Sequence, residues 1–163
     1  MVEYNAPIRD YDFLFNEMFD AIPIAQRLGY DFDSDFFSML TEGWADHTKE
    51  VWLPINQLGD REGLKFNDGN ISMPIEFKSA YDKSKEGGWL STACKPEHGG
   101  MGVPVFFQAV TWAEIGTSTN MAMSVLPALT LGVYDVLIEH GESSLVDYLS
   151  LIHISEPTRP SQI

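Results

Sequence analysis

The chain carries a single cysteine, Cys94, among 163 residues. One thiol excludes an internal disulfide framework and suits a reducing compartment. Basic residues are scarce as well: ten Lys and Arg stand against 24 Asp and Glu, a formal charge of −14. Nucleic acid and anionic lipid need cationic surface, so both are excluded as main partners. The one dense basic cluster is Lys78, Lys83 and Lys85. Apolar runs reach about a dozen residues before a glycine, proline or charge interrupts them, short of a membrane span. No cationic leader opens the chain, where Glu3 and Asp10 stand instead. With 44% hydrophobic and 21% charged residues, the expectation is a soluble, cytoplasmic globular domain with a real core.

Hydrophobic spacing predicts a mostly α chain. Asp10 reads as the N-cap of a short helix near 10–19, and Pro23 interrupts the pattern beyond it. Residues 3–33 read as an extension packed on a larger body. From Ser34, the positions Phe37, Leu40, Trp44, Val51, Ile55 and Leu58 track one face of a long helix. Gly59 is its expected stop, with Pro54 kinking the last turn. Asp68-Gly69 marks a tight turn, so a small hairpin fits near 64–73. Pro74 to Glu86 reads as a helix ended by Gly87-Gly88. A glycine-rich connector, 87–104, leads to a buried helix from Val105 to Gly116. Asn120 and the residues before it supply a cap for a final apolar helix from Met121 to His140, with Pro127 inside it and Gly141 at its end.

Few of these residues promise chemistry. Gly99-Gly100-Met101-Gly102 lacks the preceding strand and following Lys-Ser or Lys-Thr of a phosphate loop, and Pro104 removes a first-turn amide. His47, His98 and His140 lack metal-like spacing, and Cys94 has no CxxC partner, so no metal site is expected. His140 in a last helical turn suits the helix dipole. Glu114, on a predominantly apolar helix, reads as an ion-pair or surface position before it reads as a catalytic carboxylate. The small residues Ser118, Ala122, Ser124, Ala128 and Gly132 could admit another helix or a slender ligand.

The last fifteen residues, 149–163, stand apart. Leu149 through Arg159 match, residue for residue, the in-frame translation of a transposase-end sequencing adapter. They are read as adapter read-through and carry no fold or functional reading. The native sequence is accordingly expected to stop near Tyr148, inside a longer gene.

Several motifs in fixed order resemble a known family. Gly87-Gly88-Trp89-Leu90, Pro96-Glu97-His98-Gly99-Gly100-Met101-Gly102, Glu114, Asn120-Met121-Ala122 and His140-Gly141 resemble the N-terminal helical domain of acyl-CoA dehydrogenases. The opening Tyr4-Asn5-Ala6-Pro7-Ile8-Arg9-Asp10, Leu53-Pro54-Ile55-Asn56 and Gly59-Asp60-Arg61-Glu62-Gly63 resemble a bacterial branch with an N-terminal extension. The resemblance implies that 34–148 is that helical domain, truncated. It implies an FAD-dependent parent oxidoreductase of fatty acid metabolism that dehydrogenates an acyl-CoA thioester. It also implies an electron-transfer acceptor and a homo-oligomer. The catalytic glutamate and most flavin contacts would lie beyond Tyr148, so no catalytic or cofactor-binding residue is assigned within the chain, which is expected to be inactive alone. Alignment on His140-Gly141 implies acyl-pocket positions at Ser124, Val125, Ala128 and Gly132, spaced by about one helical turn. An acyl-CoA oxidase, or a stand-alone helical binding or scaffolding protein, are the alternatives.

Overall fold

The computed structural model of the protein describes residues 3–150. Its elements are helices and one small hairpin, the mostly α architecture that the hydrophobic spacing predicts. The chain opens with α1 (Ile8–Asp12), which widens into a π-helical stretch over Phe13–Met18, followed by α2 (Ala21–Arg27). Contrary to the expected cap at Asp10, Pro7 precedes α1 and Asp10 lies inside it. Nor does Pro23 interrupt a helix. It sits in the first turn of α2, where its missing N–H has no intrahelical partner to lose. These helices join the main core through Tyr11, Phe15, Ile22 and Ala25. The Phe15 ring lies 5.1 Å from Phe37 and 5.9 Å from Phe106.

Asp33 caps α3 (Ser34–His47), its carboxylate accepting the Phe36 N–H at 2.8 Å. A π-helical stretch, Thr48–Trp52, carries α3 into α4 (Leu53–Glu62) without a break. Pro54, expected to kink the last turn, lies inside this continuous run, directly after the π-helical stretch. The expected stop at Gly59 is displaced to Gly63, whose φ is +59°. Gly59 serves packing instead: a Cβ there would lie 2.6 Å from the tip of the Phe77 ring, which would have to shift to admit it.

The hairpin pairs β1 (Lys65–Asn67) with β2 (Asn70–Ser72), antiparallel, with Phe66 opposite Ile71. Asp68 and Gly69 both take positive φ, as a two-residue hairpin turn requires. Pro74 stands just before α5 (Ile75–Glu86), and Gly87-Gly88 follows it. Beyond the connector, α6 (Val105–Phe107), a third π-helical stretch (Gln108–Trp112) and α7 (Ala113–Thr119) form one continuous run.

The longest element, α8 (Met121–His140), continues straight through Pro127 and Gly132, which count as interruptions in the linear sequence. At 20 residues and a mean hydropathy of 1.7, it is long and apolar enough to cross a membrane by length and composition, correcting the expectation from short runs. Its Met123, Pro127 and Tyr134 pack into the body of the protein. The last described element is α9 (Ser143–Ser150). Leu149 and Ser150 close it, and the rest of the adapter reading, 151–163, lies outside the described residues.

At the centre, Trp44 stacks on Trp112 at 4.2 Å and meets Trp52 edge-on at 4.8 Å. Ser84, fully buried, ties α5 to this cluster. Its hydroxyl donates to the Ala80 carbonyl at 2.8 Å and accepts from Trp52 Nε1 at 2.9 Å. With that proton used, His47 Nε2, 2.8 Å away, must be the donor to the remaining lone pair. Burial, and secondarily Lys83, lower the His47 pKa to about 4. The unfolded imidazole, near 6.5, therefore takes up a proton that the folded ring refuses. Its contribution to stability is complete above about pH 6.5 and is lost as pH falls toward 4. The ring is partly exposed, and solvent screening leaves an effect on the order of 1 kcal/mol. Urea unfolding midpoints should fall between about pH 7 and pH 4.5, and His47→Gln should flatten that part of the profile. An unchanged slope in the variant would remove His47 as the titrating group.

Candidate functional site

Two of the π-helical stretches end on a tryptophan, Trp52 and Trp112, and both rings line a cavity of about 210 Å³ against α8. The extra residue of a π turn shifts the side-chain phase, and such turns are enriched at functional sites. Trp44 and Gln108 help to line the same space, and α8 closes it with Ser124, Pro127 and Ala128.

Asn120 fixes where α8 starts. It is 1% exposed. Its side-chain oxygen accepts the Met123 N–H at 3.2 Å, and its amide donates to the Trp52 carbonyl at 3.2 Å. One side chain thus caps α8 and pins it to the first π stretch of the pair. Gly116 sets the spacing between α7 and α8, since a Cβ there would stand 3.3 Å from both Ser124 and the Trp52 ring.

A second and larger space, a groove of about 770 Å³, lies on the other side of the first turns of α8. Its walls are Leu64, Met73, Phe77 and Tyr81 on one side and Met121, Val125 and Leu126 on the other. The four expected pocket residues are therefore divided. Ser124 and Ala128 face the tryptophan-lined cavity, Val125 faces the groove, and Gly132 opens onto free space, with nothing within 4 Å of where its Cβ would be.

The tryptophan-lined cavity is almost wholly apolar. The Ser124 hydroxyl is committed to the Met121 carbonyl at 2.8 Å. The Gln108 amide donates to Thr92 Oγ1 at 3.4 Å. Among the described residues, Trp112 Nε1 is a buried donor without a partner. No acid, base or nucleophile lines the space. It can hold a slender apolar group and orient it; it cannot move a proton.

Residues with chemical potential elsewhere are structurally employed. Cys94 is 1% exposed, and burial, with Asp135 second, pushes its thiol up to about 11, so it is no thiolate at neutral pH. Glu114 stands beside the arm phenols. Burial first and its carboxylate second raise the Tyr11 pKa, and the Tyr11 and Tyr4 hydroxyls have no hydrogen-bond partner of good geometry. The 99–102 glycines follow a 3₁₀ turn, Pro96–His98, rather than a strand, and the N–H groups of Gly99, Gly100 and Gly102 are spent on the Pro96, Lys95 and Cys94 carbonyls, leaving no phosphate cradle. His98 Nδ1 lies 2.8 Å from the Tyr134 hydroxyl, which also accepts the Lys95 N–H at 2.9 Å, latching the connector to α8. His140 ends α8 and is exposed. No cluster of three metal-ligating side chains occurs among the described residues.

Neither space fits a flavin dinucleotide. Its pyrophosphate needs several N–H or cationic donors, and the groove offers the Lys78 ammonium, already paired with Asp82 at 2.6 Å. The small cavity offers the single unpartnered indole N–H and too little room.

No family model matches the chain. Over 142 residues, 86% of its length, it is 31% identical to 3-methylmercaptopropionyl-CoA dehydrogenase of Ruegeria pomeroyi. The chain spans about a quarter of that relative, 24% of its length.

Proposed function

We propose that this chain, an acyl-CoA dehydrogenase relative along most of its length, forms one wall of the acyl pocket in a longer cytoplasmic flavoenzyme. The parent would dehydrogenate the α,β bond of an acyl-CoA thioester and pass electrons to a separate acceptor. Flavin and the catalytic carboxylate would come from polypeptide outside this chain, because neither cavity here suits the flavin and no carboxylate lines the tryptophan-walled cavity. The observation that carries the reading is the apolar cavity between the π-turn tryptophans and α8, lined by Ser124 and Ala128. It agrees with the kinship and has the shape and chemistry for the end of an acyl chain. Val125 and Gly132, implied alongside them, would act on the other side of α8 or against a part of the parent not present here.

A long read of the source DNA across codon 148 comes first, then purification of the complete product. Acyl-CoA should bleach its bound flavin anaerobically. The 163-residue chain alone should elute from gel filtration without flavin absorbance. A complete product without flavin, or a reading frame that ends soon after codon 148, would end this reading.

In the complete enzyme, Ala128→Phe should fill the cavity. We expect KM for the longest accepted acyl-CoA to rise at least roughly tenfold, with the shortest little affected, the discrimination available from a crowded apolar pocket. Steady-state kinetics across a chain-length series would check this. Equal effects at every length would place Ala128 outside the acyl pocket.

A further inference from the structure

The run from Val105 to Thr119 is occupied on two sides. Val105, Gln108, Ala109, Trp112 and Ala113 line the tryptophan-walled cavity, at the spacing of one helical face. Phe106, Phe107, Glu114 and Ser118 do not line it; they meet the opening segment of the chain instead. Phe15 lies 5.9 Å from both Phe106 and Phe107. Tyr11, 2% exposed, stands beside Glu114, and Tyr4 stands beside Ser118 and Glu114. Asn5 accepts from Lys49 Nζ at 2.9 Å, so the same segment also reaches the π-helical stretch that ends on Trp52. Residues 4–15 thus back the cavity wall and contribute none of its lining.

The two phenols show what holds this contact. Their hydroxyls are sealed from solvent and, among the described residues, lack a hydrogen-bond partner. A buried donor is costly unless an acceptor reaches it. Burial and then the Glu114 charge raise the Tyr11 pKa, and burial outweighs Ser118 in raising that of Tyr4, so both phenols remain protonated donors at neutral pH. Glu114 is exposed, so its carboxylate can turn to meet them. An ionised carboxylate accepts several hydrogen bonds, each stronger than one between neutral groups.

We propose that Glu114 clamps the opening segment to the back of the cavity wall by accepting from Tyr11 and Tyr4, and that this brace sets the width of the acyl pocket. Glu114 is then a positioning residue. It touches no substrate and acts through its neighbours Trp112 and Ala113. The inference rests on the reading of the cavity as an acyl pocket.

Kinetics of the complete enzyme across the chain-length series test the role. Glu114→Leu keeps the bulk of the side chain and removes the acceptor, so KM for the longest accepted acyl-CoA should rise about tenfold with kcat little changed. Glu114→Gln retains one acceptor oxygen and should stay close to the unmodified enzyme. With Tyr4→Phe and Tyr11→Phe both in place, Glu114→Leu should add nothing further, because the bonds it breaks are already gone. Equal effects of Leu and Gln, or an undiminished effect of Leu beside the two phenylalanines, would overturn the clamp. Ala128→Phe, assayed alongside, probes the pocket itself. If it raises the long-chain KM and Glu114→Leu does not, the brace falls and the acyl pocket stands. If neither moves KM, both fall. The 163-residue chain gives a reading without substrate, since all four tryptophans, Trp44, Trp52, Trp89 and Trp112, stand in one cluster at this wall. Its near-UV circular dichroism should weaken in Glu114→Leu and persist in Glu114→Gln. A spectrum unaltered by Glu114→Leu would overturn the brace whatever the kinetics show.

Discussion

Gly100→Ala should destabilise the protein by roughly 3 kcal/mol, although it adds one methyl group. A Cβ at Gly100 would lie 2.0 Å from the Cys94 carbonyl oxygen and 2.4 Å from its carbon. Both are backbone atoms, so no side chain can rotate away, and the turn itself must open. That turn is held by the Gly102 N–H donating to the Cys94 carbonyl at 2.9 Å and the Gly100 N–H donating to the Lys95 carbonyl at 3.1 Å. Opening it would expose Cys94 and Val103, each 1% exposed, and would pull Lys95 from its bond to the Tyr134 hydroxyl. The loss is a large share of the roughly 5–15 kcal/mol that holds a typical domain together. Gly69→Ala is the matching control. Its φ of +81° strains an L residue, but nothing lies within 4 Å of the new methyl, so a penalty of about 1 kcal/mol is expected. Urea unfolding of the two variants side by side decides the matter. A Gly100→Ala midpoint equal to that of the unmodified chain would mean that the turn does not close as described.

Local signals in the sequence were legible where the cause was itself local. Asp68-Gly69 announces the hairpin because two adjacent residues must take positive φ, and few pairs do so cheaply. Asn120 announces the start of α8 for the same kind of reason: the cap bond spans three residues. Gly59 misleads because its need for glycine comes from Phe77, eighteen positions on, and not from a helix end. Pro23 misleads in the opposite way, whereas Pro127 lies inside the helix as its apolar neighbours predict. Pro23 falls in a first turn and Pro127 is a buried residue within α8, so neither breaks its element. The three π-helical stretches escape any reading at a fixed 3.6-residue period, because each inserts a residue and rotates the helical face beyond it.

The candidate site shows the same division. Ser124 and Ala128, four positions apart on the helix that the family resemblance implies, do line one cavity. One further position along the helix turns Val125 by about 100° onto a different space. The opposite wall was harder to read, since Trp112 meets Trp44 and Trp52, which share one helical run, only through packing across about sixty positions.

That packing makes Trp44→Ala the second large expected effect, a loss of roughly 4 kcal/mol. Trp44 is 1% exposed. It stacks on Trp112 at 4.2 Å with the rings 13° from parallel, and meets Trp52 and Trp89 at 4.8 and 5.7 Å. Its Nε1 donates to the Trp112 carbonyl at 3.1 Å, joining α3 to the end of the third π-helical stretch. Alanine would remove the ring, the stack and that donor together, and would merge their space with the cavity they border. Trp44→Phe separates the contributions. It retains most of the ring contact but leaves the Trp112 carbonyl without its donor, which should cost about 1–2 kcal/mol plus a modest packing loss. The two variants should therefore rank clearly in urea midpoint, with near-UV circular dichroism collapsing in Trp44→Ala because the stacked indoles lose their fixed geometry. Alanine enlarges the pocket far more than phenylalanine does. In the complete enzyme, Trp44→Phe should then leave acyl-length preference nearly unchanged, whereas Trp44→Ala, assayed where it remains folded, should shift preference toward longer chains. A folded alanine variant with unaltered preference would show that the tryptophan floor supports the protein without touching the acyl group.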